Sequence, residues 1–291
     1  NNMEVTSAAV SVITAEELQQ TSAINLADAL YGRLLGLTAL KNGGFSGDDN
    51  YGASFNIRGY QTLGDNSMLI LVDGMPRPID RLSVNEVESV TVLKDAAAVA
   101  LLGYKGVNGA ILVKTKRGHE DNVNVDVSYN HKFTFAPKVA DFVDGYTYAQ
   151  ALNEARGNDG LAPAYDAIEL ELFKEGTDPF YYPNVDWTDE VMEDLGSEDQ
   201  INLSTHGGGP KVEYFTMPDY VGSRGMFSGT DQKDYNSQLK YSKANIRANI
   251  DFEVTPTTLM QVNMMASFIE TNEPSAGNAN DIFYQVYRLP A

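Results

Sequence analysis

The residues best able to hold a metal or move a proton are three histidines, His119, His131 and His206, and their spacing argues against both roles. They are isolated, with no His-x-x-x-His pair and no serine nucleophile placed beside a base. The run Gly103-Tyr104-Lys105-Gly106-Val107-Asn108-Gly109 and the run Gly43-Gly44-Phe45-Ser46-Gly47 have the glycine density of a phosphate cradle. Neither stands between a strand and a helix with a Lys-Ser/Thr pair behind it, so both read as glycine-rich turns. Asp48-Asp49-Asn50 supplies carboxylates without the alternating ligand set of a calcium loop and reads as solvated. No catalytic, metal or cofactor site is expected. The binding chemistry that remains is aromatic: Tyr181, Tyr182 and Trp187 suit stacking on sugars or peptides alike.

Those aromatics sit in the most acidic part of the chain. Of 291 residues, 40 are acidic and 21 basic, for a net charge of -19, which argues against a nucleic-acid partner. Residues 137 to 200 alone carry 16 acids against 3 bases. Flanked by strand-like sequence, the segment reads as a long acidic insertion, with amphipathic helices at Tyr146 to Ala155 and Ala164 to Lys174. There is no cysteine, which removes disulfides and thiolate metal sites. The start, Asn1-Asn2-Met3-Glu4-Val5, lacks the pattern of a signal peptide, and no apolar run reaches the ~18 residues of a membrane helix. A membrane crossing would have to use strands.

Residues 1 to 118 mix helix and strand signals. Val10 to Ile13 reads as a strand, Thr14 with Glu17 as a capping box opening a helix to Gln20, and Asn25 as the cap of a helix from Leu26 to Leu34. Strands follow at Ser54 to Arg58, Met68 to Val72, Val90 to Leu93 and Ala110 to Thr115. A turn is expected at Asp73-Gly74-Met75-Pro76, a helical turn from Val84 to Ser89, and a helix from Ala96 to Leu102. Gly59, Gly74 and Gly109 fall at strand ends, Asp95 beside Lys94 suits a helix cap, and Arg58 is expected in a structural salt bridge.

Past Gly118 the period becomes two. Val123, Val125, Val127, Tyr129, His131, Phe133 and Phe135 share one face, and Asn124, Asp126, Ser128 and Asn130 the other. The pattern returns at 245–254, with Arg247, Asn249 and Asp251 on the polar side, and at 260–268, where Met265 and Ile269 blur it. Gln200 to His206 and Lys211 to Val221 flank a tight turn at Gly207 to Pro210. A soluble sheet with one wet face alternates too, while strands this long favour a membrane barrel.

Four segments occur in order: Asn56-Ile57-Arg58-Gly59; Leu69 to Pro76; Val87 to Ala98, which includes Lys94 and Asp95; and Gly106 to Gly118, which includes Asn108, Gly109 and Arg117. With Asn25 to Leu37 upstream, and Asp186 to Val191, Asn202 to Gly208 and Asn245 to Asn249 downstream, they closely resemble SusC/RagA-type TonB-linked outer-membrane proteins. The resemblance implies an α+β plug domain at 1–118, then antiparallel strands of a large transmembrane β-barrel at 119–291, with 137–199 a long extracellular loop. It implies the outer membrane of a Gram-negative, Bacteroidetes-type bacterium, and TonB-energised import of an oligosaccharide or peptide. The implied partners are TonB, through a segment N-terminal to Asn1, a SusD-like surface lipoprotein as lid, and outer-membrane lipid. Arg58, Gly59, Asp73, Gly74, Lys94, Asp95, Asn108, Gly109, Arg117 and Gly118 are the implied structural and gating positions of the plug, and Tyr181, Tyr182 and Trp187 are candidate substrate or partner contacts. The chain departs from the family pattern at Leu101 to Gly106, where a Tyr-Gly turn is expected. Five candidate strands against the ~22 of such barrels imply a portion of a longer protein. The rivals are a soluble secreted β-rich glycan-binding module and a sensor that relays occupancy to a periplasmic regulator.

Overall fold

A computed structural model describes residues 10–21, 23, 25–42, 52–57, 68–94, 106, 108–119, 121–135, 142–228, 236, 238–273, 279–286 and 288. The expected helix at Ala96 to Leu102, and Asp48 to Asn50, lie outside them. Two compact units are present: Asn1–Lys132 with Glu198–Ser223 and Tyr241–Thr271, and Phe133–Ser197 with Arg224–Lys240 and Asn272–Ala291.

The first unit opens with strand β1 (Val10–Thr14) and helix α1 (Ala15–Gln19). Thr14 and Glu17 close the expected capping box: the Thr14 hydroxyl accepts from the Glu17 N–H, and the Glu17 carboxylate accepts from the Thr14 N–H at 2.9 Å. Asn25 caps α2 (Leu26–Leu30) through its side-chain oxygen, 2.8 Å from the Asp28 nitrogen. α2 ends four residues earlier than its pattern predicts, because the chain leaves helical angles at Tyr31 and Gly32 has φ of 70°. Strands β2 (Leu37–Asn42) and β3 (Gly52–Ile57) form an antiparallel pair. β2 has no clean alternation and was not predicted.

β4 (Leu69–Val72), β5 (Met75–Pro76), β6 (Val87–Leu93) and β7 (Ala110–Thr115) join β1 in a five-stranded sheet of order β1-β6-β7-β4-β5. β4 runs parallel to β7, while β6 is antiparallel to both β1 and β7. The helical turn shrinks to a 3-10 turn, Val84–Glu86, since β6 already starts at Val87. Val87, Val90, Val92, Ile111 and Val113 meet Leu18, Leu26 and Leu30 of α1 and α2 in one apolar core.

Five long strands make a second antiparallel sheet: β8 (Asp121–Phe135), β9 (Leu195–Gly209), β10 (Val212–Arg224), β11 (Lys240–Thr255) and β12 (Thr258–Asn272), each hydrogen-bonded to its sequence neighbour. Residues 210–211 and 256–257 are two-residue turns, whereas β8 to β9 and β10 to β11 are joined by long segments. Alternating short and long connections are the habit of outer-membrane barrels.

In the second unit, Asp144 caps α3 (Gly145–Asn158), Asp166 closes a capping box with Glu169 on α4 (Ala167–Glu175), and Asp186 caps α5 (Trp187–Val191). Phe173 of α4 stacks edge-on with Tyr165 and Tyr182, at centroid distances of 5.3 and 5.2 Å. A last helix, α6, spans Ala279–Val286.

Candidate functional site

In β9 and β11 the polar face is buried and the apolar face is exposed; β10 instead buries Phe215, Met217 and Val221 beside Asp219. On β11, Lys243, Asn245, Arg247 and Asn249 are buried, Arg247 to 1% exposure, while Ile246 between them is 54% exposed. β9 buries Gln200, Asn202 and Ser204 and exposes Ile201 and Leu203. Val127 and Phe135 on β8 and Phe268 on β12 also point outward. A sheet folding in water would bury the other face; this one places hydrocarbon where lipid would lie.

The buried polar face grips the first domain. Asp73 and Gly74, with φ of 49° and 83°, form the two-residue turn between β4 and β5. Both are left-handed, as a tight hairpin with the right twist requires, so Asp at the first place and Gly at the second fit. Below the turn, Asp73 accepts from the Thr115 N–H at 3.0 Å and the Thr115 hydroxyl at 2.7 Å. Glu86, held in the 3-10 turn by the Ser83 N–H at 2.7 Å, receives the Arg247 guanidinium Nε–H. A guanidinium nitrogen of Arg247 also lies 3.7 Å from Asp73. Burial pushes the Glu86 carboxyl above its ordinary value, and Arg247, the Ser83 N–H and Lys243 pull it back. A pair this deep gains little net stability, but removing one partner strands the other charge in a dry site, at about 3–5 kcal/mol.

A second set of contacts clasps the end of β7. Asn249 donates to the Thr115 hydroxyl at 2.8 Å and to the Lys116 carbonyl at 2.7 Å. Arg117 bonds Asp251 at 2.6 Å and the Asn263 oxygen at 3.0 Å. At Gly118 an added Cβ would lie 2.3 Å from the Tyr214 backbone nitrogen, so only glycine passes the wall of β10 this closely. Met265, the apparent flaw in the polar face of β12, packs on the core of the first domain, its sulfur 3.4 Å from Arg247.

The candidate residues therefore divide. Asp73, Gly74, Arg117 and Gly118 come together at this docking surface. Asn108 and Gly109 form the turn into β7, where the Gly109 N–H bonds the Gly106 carbonyl at 2.9 Å. The Lys94 amine bonds the Ser11 hydroxyl, tying the end of β6 to β1. Arg58, Gly59 and Asp95 lie outside the described residues. Tyr181 is exposed and stacks edge-on with Phe180 at 5.1 Å; Tyr182 packs on Phe173; Trp187 is half-buried at the first position of α5. Glu86 carries a local signal, the capping-box spacing Ser83-x-x-Glu86, and Arg247, Asn249 and Asp251 share a polar strand face, but what those three hold is set by contacts distant in the chain.

Residues 2–110 match the family TonB-dependent Receptor Plug Domain. TonB-dependent receptor SusC of Bacteroides thetaiotaomicron is 26% identical over 258 residues, 84% of this chain and 24% of its own length. TonB-dependent receptor P3 of Formosa agariphila is 27% identical over 298 residues, 97% of this chain and 26% of its own. Among solved structures, the RagAB peptide transporter superposes with a TM-score of 0.76 at 19% identity, covering 92% of this chain and 31% of that one. This chain is thus similar to TonB-dependent receptors of the SusC/RagA type along nearly its whole length, and shares their fold. The siderophore receptor PirA of Acinetobacter baumannii shares the fold more loosely, with a TM-score of 0.56 at 16% identity, covering 92% of this chain and 32% of that one. The receptor chain spans about a quarter of the length of the curated relatives it matches. Receptors of this type reside in the outer membrane of Bacteroidetes, and the exposed apolar residues of β8, β9, β11 and β12 suit that location.

Proposed function

We propose that the full-length receptor imports an oligosaccharide or peptide across the outer membrane, energised by TonB and leaving the cargo chemically unchanged. The observation that carries this reading is the docking of a folded, apolar-cored domain by Asp73, Glu86 and Arg117 on the charged inward face of β11, with Asn263 of β12 beside it. Residues 1–118 act as the plug, 119–291 as the start of the barrel wall, and 137–199 as an extracellular loop. Passage then requires the plug to shift or partly unfold, and the outer membrane offers no nucleotide or ion gradient to drive that. TonB supplies the work by pulling on a segment N-terminal to this chain. A SusD-like lipoprotein closes the outer side as a lid, with the acidic loop and its exposed Phe180 and Tyr181 as part of the contact. Uptake of labelled oligosaccharides and peptides by cells with and without TonB tests the proposal. Loss of one substrate class without TonB is expected and would name the cargo; equal uptake in both strains would remove the transporter reading.

A further inference from the structure

The inward faces of the barrel strands meet the plug in two ways. On β11 and β12 the contact is direct, through Arg247, Asn249, Asp251, Asn263 and Met265. On β8 and β9 a cavity of about 490 Å³ intervenes, with Thr21 and Asn85 on the plug side and Ser128, Asn130, Asn202 and Ser204 on the wall. A second cavity of about 220 Å³ shares Ser204, Lys116 and Asp126 with the first and continues to His206. Lining residues of β9 run from Gln200 to His206, roughly 20 Å of strand at the usual rise per residue. The larger cavity is lined mainly by neutral amides and hydroxyls, with Lys116 and Asp126 where it meets the smaller one, and the smaller adds Glu88, Arg117, His119 and His206.

We infer that cargo crosses between the plug and the β8–β9 wall, and that its first contacts there suit an uncharged, hydrogen-bonding chain. The inference rests on the transporter reading above. Its physical basis is the difference between the two sides. Opening the β11–β12 side means parting Glu86 and Asp73 from Arg247 and exposing Met265, whereas the β8–β9 side is already spaced by a polar cavity. Amide and hydroxyl groups can exchange partners with a moving solute, since each both donates and accepts and none holds a fixed charge.

Single cysteines test the route in the full-length receptor, with any other cysteine replaced. Ser204→Cys and Asn130→Cys are each modified with a small methylthio group or with a bulky maleimide, and heat-modifiable electrophoretic mobility shows that the barrel is folded. Bulky adducts are expected to abolish TonB-dependent uptake at both positions while the small adduct preserves it. Uptake that persists with bulky adducts at both positions overturns the route, and so does uptake lost equally with the small adduct, which would mark a structural disturbance. Failure of the transporter reading is separable, because unmodified receptor would then import equally without TonB.

Discussion

The plug sheet and the barrel sheet are both five-stranded, and the plug sheet buries apolar side chains where β9 and β11 of the barrel sheet bury polar ones. In the plug, Val90, Val92, Ile111 and Val113 are inside, and the outer face carries the exposed pair Lys114 and Glu88 at 2.7 Å. In the barrel strands, Lys243, Arg247, Asn249 and Asp251 are inside and Ile246, Phe268 and Val127 outside. Alternation fixes that a strand has two faces. The medium around it fixes which face is hidden: water for the plug's outer surface, lipid for the barrel's.

The largest effect that could break this contrast comes from the charge shared by both sheets. Arg247→Met should leave Glu86 buried without its partner and weaken plug docking by about 3–5 kcal/mol, read as faster hydrogen exchange across β7 in detergent-solubilised receptor. The double variant Glu86→Gln, Arg247→Met should recover much of the loss. The sign of the pH effect follows from burial, which raises the Glu86 value in the folded state. A raised carboxyl binds a proton more readily folded than unfolded, so its contribution is fully favourable below the unfolded value and is lost as pH rises through the folded one. The Arg247→Met penalty should therefore shrink on acidification. A pH-independent penalty would show that Glu86 is not the stranded group.

On the outward face the contrast predicts intolerance of charge. Ile246→Arg should cost about 2–4 kcal/mol of barrel stability if the residue sits near the bilayer midplane, measured by denaturant unfolding in lipid vesicles; an unchanged midpoint would argue that this face meets water. Smaller is the difference in tolerance of bulk. Ile111→Phe overpacks a closed core and should cost about 1–3 kcal/mol, whereas Ile246→Phe, facing fluid chains, should leave stability unaltered. Equal costs would mean that Ile246 is covered by protein. The smallest expected effect lies outside both sheets. The Thr147 hydrogen bonds hold the Asp144 carboxyl below its ordinary value, so its support of α3 is present above the usual aspartate range and is lost as pH falls through the lowered value. Asp144→Asn keeps an N-cap and should make amide protection of α3 independent of pH in that window.

Local signals in the sequence survived folding well. The Thr14–Glu17 capping box, the Asn25 cap, the Asp73-Gly74 turn and strand β7 stand where nearest-neighbour chemistry places them. The 3-10 turn at Val84–Glu86 came out shorter than its pattern, because β6 takes Val87 to Ser89 to pair with β7. β2 was invisible because it is defined by its pairing with β3 and not by its own periodicity. β9 begins five residues before its clear alternation, at Leu195, since a strand continues while its neighbour offers hydrogen bonds.

The sequence by itself determined the caps, the turns, the two-residue period of the barrel strands and the absence of cysteine chemistry, for each depends on residues close in the chain or on composition alone. Only the tertiary structure decided which face of those strands is inward and why Arg247 and Met265 belong there. Glu86 and Arg247 are 161 positions apart, so no window of sequence contains both. Their types are legible separately, as a capping glutamate and a polar-face arginine, but a buried charge acquires its meaning from its partner, and the partner is chosen by the fold.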